Sequence, residues 1–384
     1  MAKENVSSNI HKEDMIFKKG ERIILMDTQN QNIPEWVIVK IKELKRKDFQ
    51  MARISGVHKN SFAVQKDSKE VLAELSGNLM FNIETELDYP TVGDWVYVQF
   101  FNQNNLAIID EIIPRRTILK RKKAGKKIAY QLIAANVDTA LIIQSLDQDF
   151  NLRRLERYIT MVKEGNIQPI ILLSKSDLLS PTELEVKISD VLSIMPEVRV
   201  IAFSNLNKHN LIQVSELLEM GKTYCLIGSS GVGKTTLLNH ILETDKFKTQ
   251  EVRRDGKGKH ATTSRQLINL FQKGTIIDTP GIRELGLIDT QKGISETFQE
   301  ISDLTQKCLF KDCTHTIEKG CAVLAALAAG ILSPERYNNY IKMKKESTHY
   351  EMSYFEKRKK ERQTSRLYKN ILKEHLRKKS GNNN

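Results

Sequence analysis

The stretch Gly228-Ser229-Ser230-Gly231-Val232-Gly233-Lys234-Thr235 meets the P-loop pattern G-x-x-x-x-G-K-[ST] at every fixed position. Before it, Thr223-Tyr224-Cys225-Leu226-Ile227 reads as a buried strand. After it, Thr236-Leu237-Leu238-Asn239-His240-Ile241-Leu242 opens a helix. A strand, a glycine-rich loop and a helix in that order let backbone N–H groups and the positive end of the helix converge on phosphate oxygens. Lys234 is expected to reach the β- and γ-phosphates and Thr235 to ligate Mg²⁺, with Gly228 to Thr236 wrapping the nucleotide.

Working outward, Val137 to Ile143, Pro169 to Leu173 and Val198 to Phe203 are further buried-strand runs, separated by helical periods over Leu152 to Val162 and Ser180 to Ile194. Alternating strands and helices predict a doubly wound α/β sheet, whose ligands bind at the carboxyl ends of the strands. At one such end stands Ser174-Lys175-Ser176-Asp177, similar to the [NT]-K-x-D signature of GTPases. Asp177 would accept hydrogen bonds from guanine N1–H and N2–H₂, the Lys175 stem would cover the base, and Ser204 falls in the next base-contacting loop. Ser174 replaces the usual Asn, which weakens its own contacts and spares Asp177. Adenine lacks the donor pair, so an ATPase is disfavoured.

Past the P-loop, the polar, glycine-rich segment Arg253 to His260 leads into Ala261-Thr262-Thr263, a first-switch pattern. Thr275-Ile276-Ile277-Asp278-Thr279-Pro280-Gly281 is a strand ending in D-x-P-G, in which Asp278 would hold Mg²⁺ through water and the Gly281 N–H would sense the γ-phosphate. In ordinary GTPases the base-reading loop follows these parts; here it precedes them. The order therefore predicts a circularly permuted GTPase domain whose second switch runs straight into the C-terminal part.

On the N-terminal side, Met51–Ile54, Ser61–Gln65, Val71–Glu74, Trp95–Phe101 and Leu106–Ile113 read as five short strands between turns, an OB-type β-barrel with Trp95 in its core. Strands are also read at Arg22–Met26 and Trp36–Ile41. On the C-terminal side, Cys308, Cys313, His315 and Cys321 are spaced C-x4-C-x-H-x5-C. Three thiolates and an imidazole suit tetrahedral Zn²⁺ with no open position, so a structural site is expected, whereas Cys225 is read as a buried apolar residue. Pro334–Lys345 and Phe355–Lys379 read as basic helices.

The formal net charge of +13 is localised: residues 115–127 carry +8 and residues 342–384 carry +9, leaving −4 on the rest. Two concentrated basic runs predict phosphate-backbone contact. Nothing at the N-terminus resembles a signal peptide, and the longest apolar run, Ala322 to Leu332, is too short to span a bilayer, so a soluble cytoplasmic protein with no membrane partner is expected.

From Met51 to Glu346 the chain resembles the ribosome small-subunit-dependent GTPases of the RsgA (YjeQ) family. The matching stretches are Tyr89-Pro90-Thr91-Val92-Gly93-Asp94-Trp95-Val96, Asn136-Val137-Asp138, Asn151 to Tyr158, the P-loop, Asp278 to Gly281 and the Cys/His cluster through Val323. The resemblance implies a multidomain chain: an N-terminal OB-type β-barrel (46–114), a circularly permuted α/β P-loop GTPase domain (115–300) and a C-terminal zinc-binding helical module with a basic tail (301–384), after an extension (1–45) of no assigned role. It also implies GTP hydrolysis stimulated by the small ribosomal subunit, late 30S maturation through 16S rRNA contact, Mg with GTP, one Zn and a monomer.

The residue after D-x-P-G is Ile282, which cannot orient water, so His260 is the expected catalytic group beside Lys234, with Thr262 as the switch threonine because Ala261 stands where the family usually has Thr. The competing reading is a zinc-containing rRNA-binding nucleotide switch that scarcely hydrolyses GTP.

Overall fold

The computed structural model describes residues 33–44, 49–58, 61–66, 69–83, 85–123, 130–244, 265–270, 273–281, 286–287 and 289–351. The strand read at Arg22–Met26, the first switch with His260, Ala261 and Thr262, the position of Ile282 and the helix read at Phe355–Lys379 lie outside them.

The first element is a helix, α1 (Glu35–Leu44), where the sequence reading has a strand over Trp36–Ile41. Burial explains the difference: Val37 is fully buried and Val39 is half exposed. Those two residues would share a face in a strand but lie about 200° apart on a helix. Pro34 opens the turn, its carbonyl accepting from the N–H groups of Val37 and Ile38, and Val37 packs with Trp95, Tyr97 and Ile113.

Five strands follow: β1 (Gln50–Val57), β2 (Phe62–Lys66), β3 (Lys69–Leu75), β4 (Trp95–Phe101) and β5 (Leu106–Ile112). They pair in the ring β1–β2–β3–β5–β4–β1, with only β3–β5 parallel, which closes a barrel. Inward residues such as Ala52, Ile54, Val64, Ala73, Val98 and Ile109 fill it, as period-two alternation requires. A short helix, α2 (Gly77–Asn82), capped by the Ser76 hydroxyl on Leu79 N–H, connects β3 toward β4.

The basic run at 115–127, for which the sequence reading assigns no strand, contains one. Its first part forms β6 (Ile118–Lys122), antiparallel to β7 (Tyr130–Ala135). Leu119 is buried while the lysines and arginines around it are half-exposed, so one apolar residue per turn of the pleat was enough to make a strand of a charge-rich segment.

The P-loop half of the molecule is built from β8 (Thr139–Ser145), α3 (Leu152–Glu164), β9 (Gln168–Ser174), α4 (Pro181–Ile194), β10 (Arg199–Ala202), α5 (Leu211–Ser215), β11 (Thr223–Gly228), α6 (Lys234–Leu242), β12 (Gln266–Asn269) and β13 (Thr275–Asp278). The strand order is β10-β9-β8-β11-β13-β12, parallel apart from β12. Both faces are covered. Ala140 and Ile142 point into one core with α3 and α4, while Leu141 and Ile143 point into the other with α5 and α6.

Barrel and sheet are joined by buried charged and amide side chains. Arg53 of β1 is buried, stacks 5.1 Å from the Trp95 ring centroid and donates to Thr223 Oγ1 (2.7 Å) at the start of β11. Burial lowers its guanidinium to about 10, with Asp138 and Asp94 pulling the other way. Arg115 holds both oxygens of the fully buried Asp94 at 2.8 Å, and the Asn136 amide donates to Gly93 O. Asp138 accepts from Arg116 and from Thr223 N–H. β1 also pairs with β12 at Gly56 and Gln266, so the barrel is hydrogen-bonded to the strand that leaves the first switch.

Beyond β13, α7 (Gln291–Thr297), α8 (Gln299–Thr305), α9 (Ala322–Ala328) and α10 (Pro334–Glu351) surround a core of Leu287, Ile294, Phe298, Ile301, Val323 and Met343. This unit is fastened to α3. Glu156, fully buried, accepts from Arg153 (2.6 Å), Arg336 (2.8 Å) and Asn339, so its charge is matched inside the joint as a buried ion must be. Among the described residues no helix is long and apolar enough to cross a membrane.

Candidate nucleotide site and metal cluster

Every described residue predicted to touch nucleotide lies at the carboxyl edge of the sheet. The P-loop leaves β11 and enters α6, with Gly231 and Gly233 in the left-handed region at φ +85° and +94°. Lys234 is buried and folds back over the loop, donating from Nζ to Gly228 O (2.9 Å) and Ser229 O (2.7 Å). Burial lowers its ammonium to about 8, opposed by the charge of buried Asp278 at the end of β13. Ser229 is buried and hydrogen-bonded to the Tyr158 hydroxyl on α3. Thr235 and Thr236 are half-buried in the first turn of α6.

Gly281 closes on the same loop. A Cβ there would stand 2.8 Å from Ser230 N and 2.9 Å from its Cα, so only glycine lets the second switch lie against the P-loop backbone. Thr279 ties the segment down by donating from Oγ1 to Leu226 O (2.6 Å).

The loop after β9, read from sequence as base-contacting, is hydrogen-bonded to the P-loop as well. Ser174, fully buried, donates from Oγ to Val232 O (2.7 Å), so the hydroxyl in place of the usual Asn still links the two loops. Lys175 takes the left-handed conformation (φ 61°) and its Nζ meets Asp147 Oδ2 at 2.6 Å. Asp177 is exposed and accepts from Ser204 Oγ. The same Oγ accepts from Leu206 N–H (3.1 Å) and Asn207 N–H (3.3 Å), which fixes the second base loop next to the carboxylate.

Three further residues, not singled out from the sequence, tie these loops together. Asp147 sits at the carboxyl end of β8, where ligand-facing residues gather in such sheets. Burial pushes its carboxyl up, but hydrogen bonds from Lys175, Ser145 and the Asp149 N–H outweigh this and hold it below the usual carboxylate range. Asn205 donates to Gly233 O (3.2 Å) and its own carbonyl contacts His240 Nε2 (3.2 Å), joining the second base loop to α6. Tyr158, fully buried and raised to about 12 by that burial, links α3 to the P-loop; position alone gives no signal of that contact.

Cys308, Cys313, His315 and Cys321 form a second locus, apart from the sheet edge, with all their ligand atoms within 4.8 Å of one another. Cys308 Sγ lies 3.8 Å from Cys321 Sγ, and each is 3.6 Å from His315 Nδ1. Bonds of ordinary metal–thiolate and metal–imidazole length at tetrahedral angles give edges of about 3.8 and 3.6 Å. Cys308, Cys321 and His315 therefore match three corners of a tetrahedral site, and with Cys313 the group could hold a metal ion. His315 is buried with φ 62°, and its carbonyl accepts from the Tyr337 hydroxyl of α10 (2.6 Å), which carries the loop on the helix.

A profile of the RsgA GTPase family matches residues 112–288. One of the ABC transporters matches 211–379, a span that shares the P-loop. The small ribosomal subunit biogenesis GTPase RsgA 1 of Bacteroides thetaiotaomicron is 38% identical over 330 residues, covering 85% of this chain and 91% of that one. The RsgA of Methanosarcina acetivorans is 42% identical over 315 residues, 81% of this chain and 84% of its own. Among solved structures, YjeQ from Thermotoga maritima (TM-score 0.56, 23% identity, 76% of this chain and 96% of that one) and YloQ, a circularly permuted GTPase (0.56, 23%, 80% and 97%), share the fold. With barrel, permuted P-loop sheet and near full-length identity in agreement, the chain belongs to the RsgA family of small ribosomal subunit biogenesis GTPases.

Proposed function

We propose that this chain hydrolyses GTP on the small ribosomal subunit during its late maturation, gated by contact with 16S rRNA. The observation that supports the reading is that Ser174 donates to Val232 O and Asn205 donates to Gly233 O, so the loop bearing exposed Asp177 and the loop that follows it are both hydrogen-bonded to the P-loop. Lys234 and the amides of Gly228 to Thr236 bind the phosphates, Thr235 and Asp278 serve Mg²⁺, and Gly281 senses the γ-phosphate. Asp177, Lys175, Ser174 and Ser204 bind the base. His260 orients the attacking water on the subunit, and Thr262 of the first switch serves the metal.

Zinc is the metal best suited to three thiolates and a histidine, and a full donor set makes it structural, holding the loop against α10. The barrel (46–114), the GTPase domain (115–300) and the zinc module with its basic tail (301–384) act as one monomer in the cytoplasm; RNA contact falls to the two basic runs. Asp177→Asn tests the base assignment. It is expected to lower GTP affinity at least tenfold while leaving xanthosine triphosphate, whose O2 accepts from an amide, bound as well or better. Unchanged GTP selectivity would remove the assignment.

A further inference from the structure

A cavity of about 260 Å³ opens between α7, α8, α10 and the loop bearing Cys313 and His315, far along the chain from the P-loop. Its wall combines two kinds of group. Lys311, Lys344, Ser302 and Gln291 supply polar atoms, and Phe310 and Tyr340 supply aromatic ones. No aspartate or glutamate lines it, and the candidate metal ligands Cys313 and His315 form part of the wall.

Among the described residues, neither Lys311 nor Lys344 takes part in an ion pair. Lys344 is half-buried, its ammonium 5.7 Å from the Tyr340 ring centroid. Three thiolates around a divalent ion carry one net negative charge, so two ammonium groups leave the wall one positive charge in excess, and a bound anion relieves it. The Ser302 hydroxyl lies 2.9 Å from that of Ser295, so the wall offers neutral donors next to the charges. Phe310 is 50% exposed, a large ring left uncovered at a polar opening. A simple anion would use the lysines and leave the ring idle; an apolar ligand would leave the lysines unmatched.

We infer that this cavity is a second nucleotide site, taking one phosphate between Lys311 and Lys344 with its base against Phe310. The volume falls below that of a drug-sized pocket and suits one nucleotide rather than two. Such a nucleotide comes either free or as an unpaired residue of an RNA strand, and base stacking on an aromatic ring serves both. The assignment is independent of the P-loop reading, because the two sites share no residue.

The test uses the full chain with its metal and with GDP and Mg²⁺ saturating the P-loop. Two photoreactive probes are compared, 4-thiouridine monophosphate and a hexaribonucleotide containing one 4-thiouridine, and crosslinked peptides are mapped by mass spectrometry. Crosslinks on the peptides holding Phe310 or Tyr340 are expected, reduced about tenfold in Lys311→Ala/Lys344→Ala. That variant should keep its metal content and GDP affinity. Labelling by the mononucleotide identifies a free nucleotide, and labelling by the hexamer alone identifies RNA. Absence of both crosslinks, equal labelling of the variant, or equal competition by inorganic phosphate and by uridine monophosphate would overturn the proposal.

Discussion

Arg157 on α3 and Glu346 on α10 form a bidentate contact, Arg157 Nη2 lying 2.7 Å from each carboxylate oxygen. The same carboxylate accepts the N–H of Leu287 at 3.0 Å. Leu287 is the buried residue through which the chain, having left the second switch, enters the C-terminal core. One turn of α3 therefore holds both ends: Arg157 grips Glu346, and the adjacent Tyr158 touches Ser229 of the P-loop.

Glu346 therefore joins α3, the chain leaving the second switch and α10 through one carboxylate. Glu346→Ala is expected to cost about 1 kcal/mol of stability, since the pair is partly exposed, while lowering subunit-stimulated turnover several-fold and leaving basal turnover unchanged. Parallel assays with and without 30S particles check it; equal losses in both would show that Glu346 is only a fastening.

Lys234 makes phosphate binding pH-dependent. Burial holds its ammonium at about 8 against the pull of Asp278, and a bound polyphosphate raises it, so above pH 8 binding must take up a proton. Affinity for GTP should be flat below pH 8 and fall by up to about tenfold per unit above it, until the pKa of the bound form is passed. Titrations with a fluorescent GTP analogue from pH 7 to 9.5 measure this, and constant affinity across that range would mean that the lysine is not held as described.

Asp147 fixes the Lys175 ammonium at 2.6 Å, and Lys175 is proposed to cover the base. Asp147→Ala should weaken GTP binding about five- to tenfold with little change in kcat, and Asp147→Glu should recover part of it. Equilibrium binding with single-turnover kinetics separates the two constants; a loss in kcat alone would place Asp147 elsewhere in the reaction.

Much of this arrangement was legible in the chain because it rests on local pattern. The P-loop, D-x-P-G and the Cys/His spacing each fit within a few residues, and the alternating apolar positions of β1 to β5 announce a barrel strand by strand. Where reading failed, the local signal was equivocal. Trp36 to Ile41 is rich in β-branched residues, yet Pro34 and the single buried face of Val37 make it helical. Ile118 to Lys122 is mostly charge, yet its pairing with Tyr130–Ala135 makes it a strand. Contacts such as Arg336 with Glu156 or Lys175 with Asp147 could not be read at all, because they join positions far apart in the chain and depend on side-chain geometry that only the packed sheet defines.

The central claim, a GTPase gated by the subunit, is tested most directly by GTP turnover of the full chain with and without purified 30S particles, beside His260→Ala. The account predicts slow turnover alone, since Ile282 cannot orient water, at least tenfold stimulation by the subunit, and loss of most of that stimulation in His260→Ala at unchanged GTP affinity. Turnover that the subunit leaves unchanged would contradict it and favour a nucleotide switch that scarcely hydrolyses GTP.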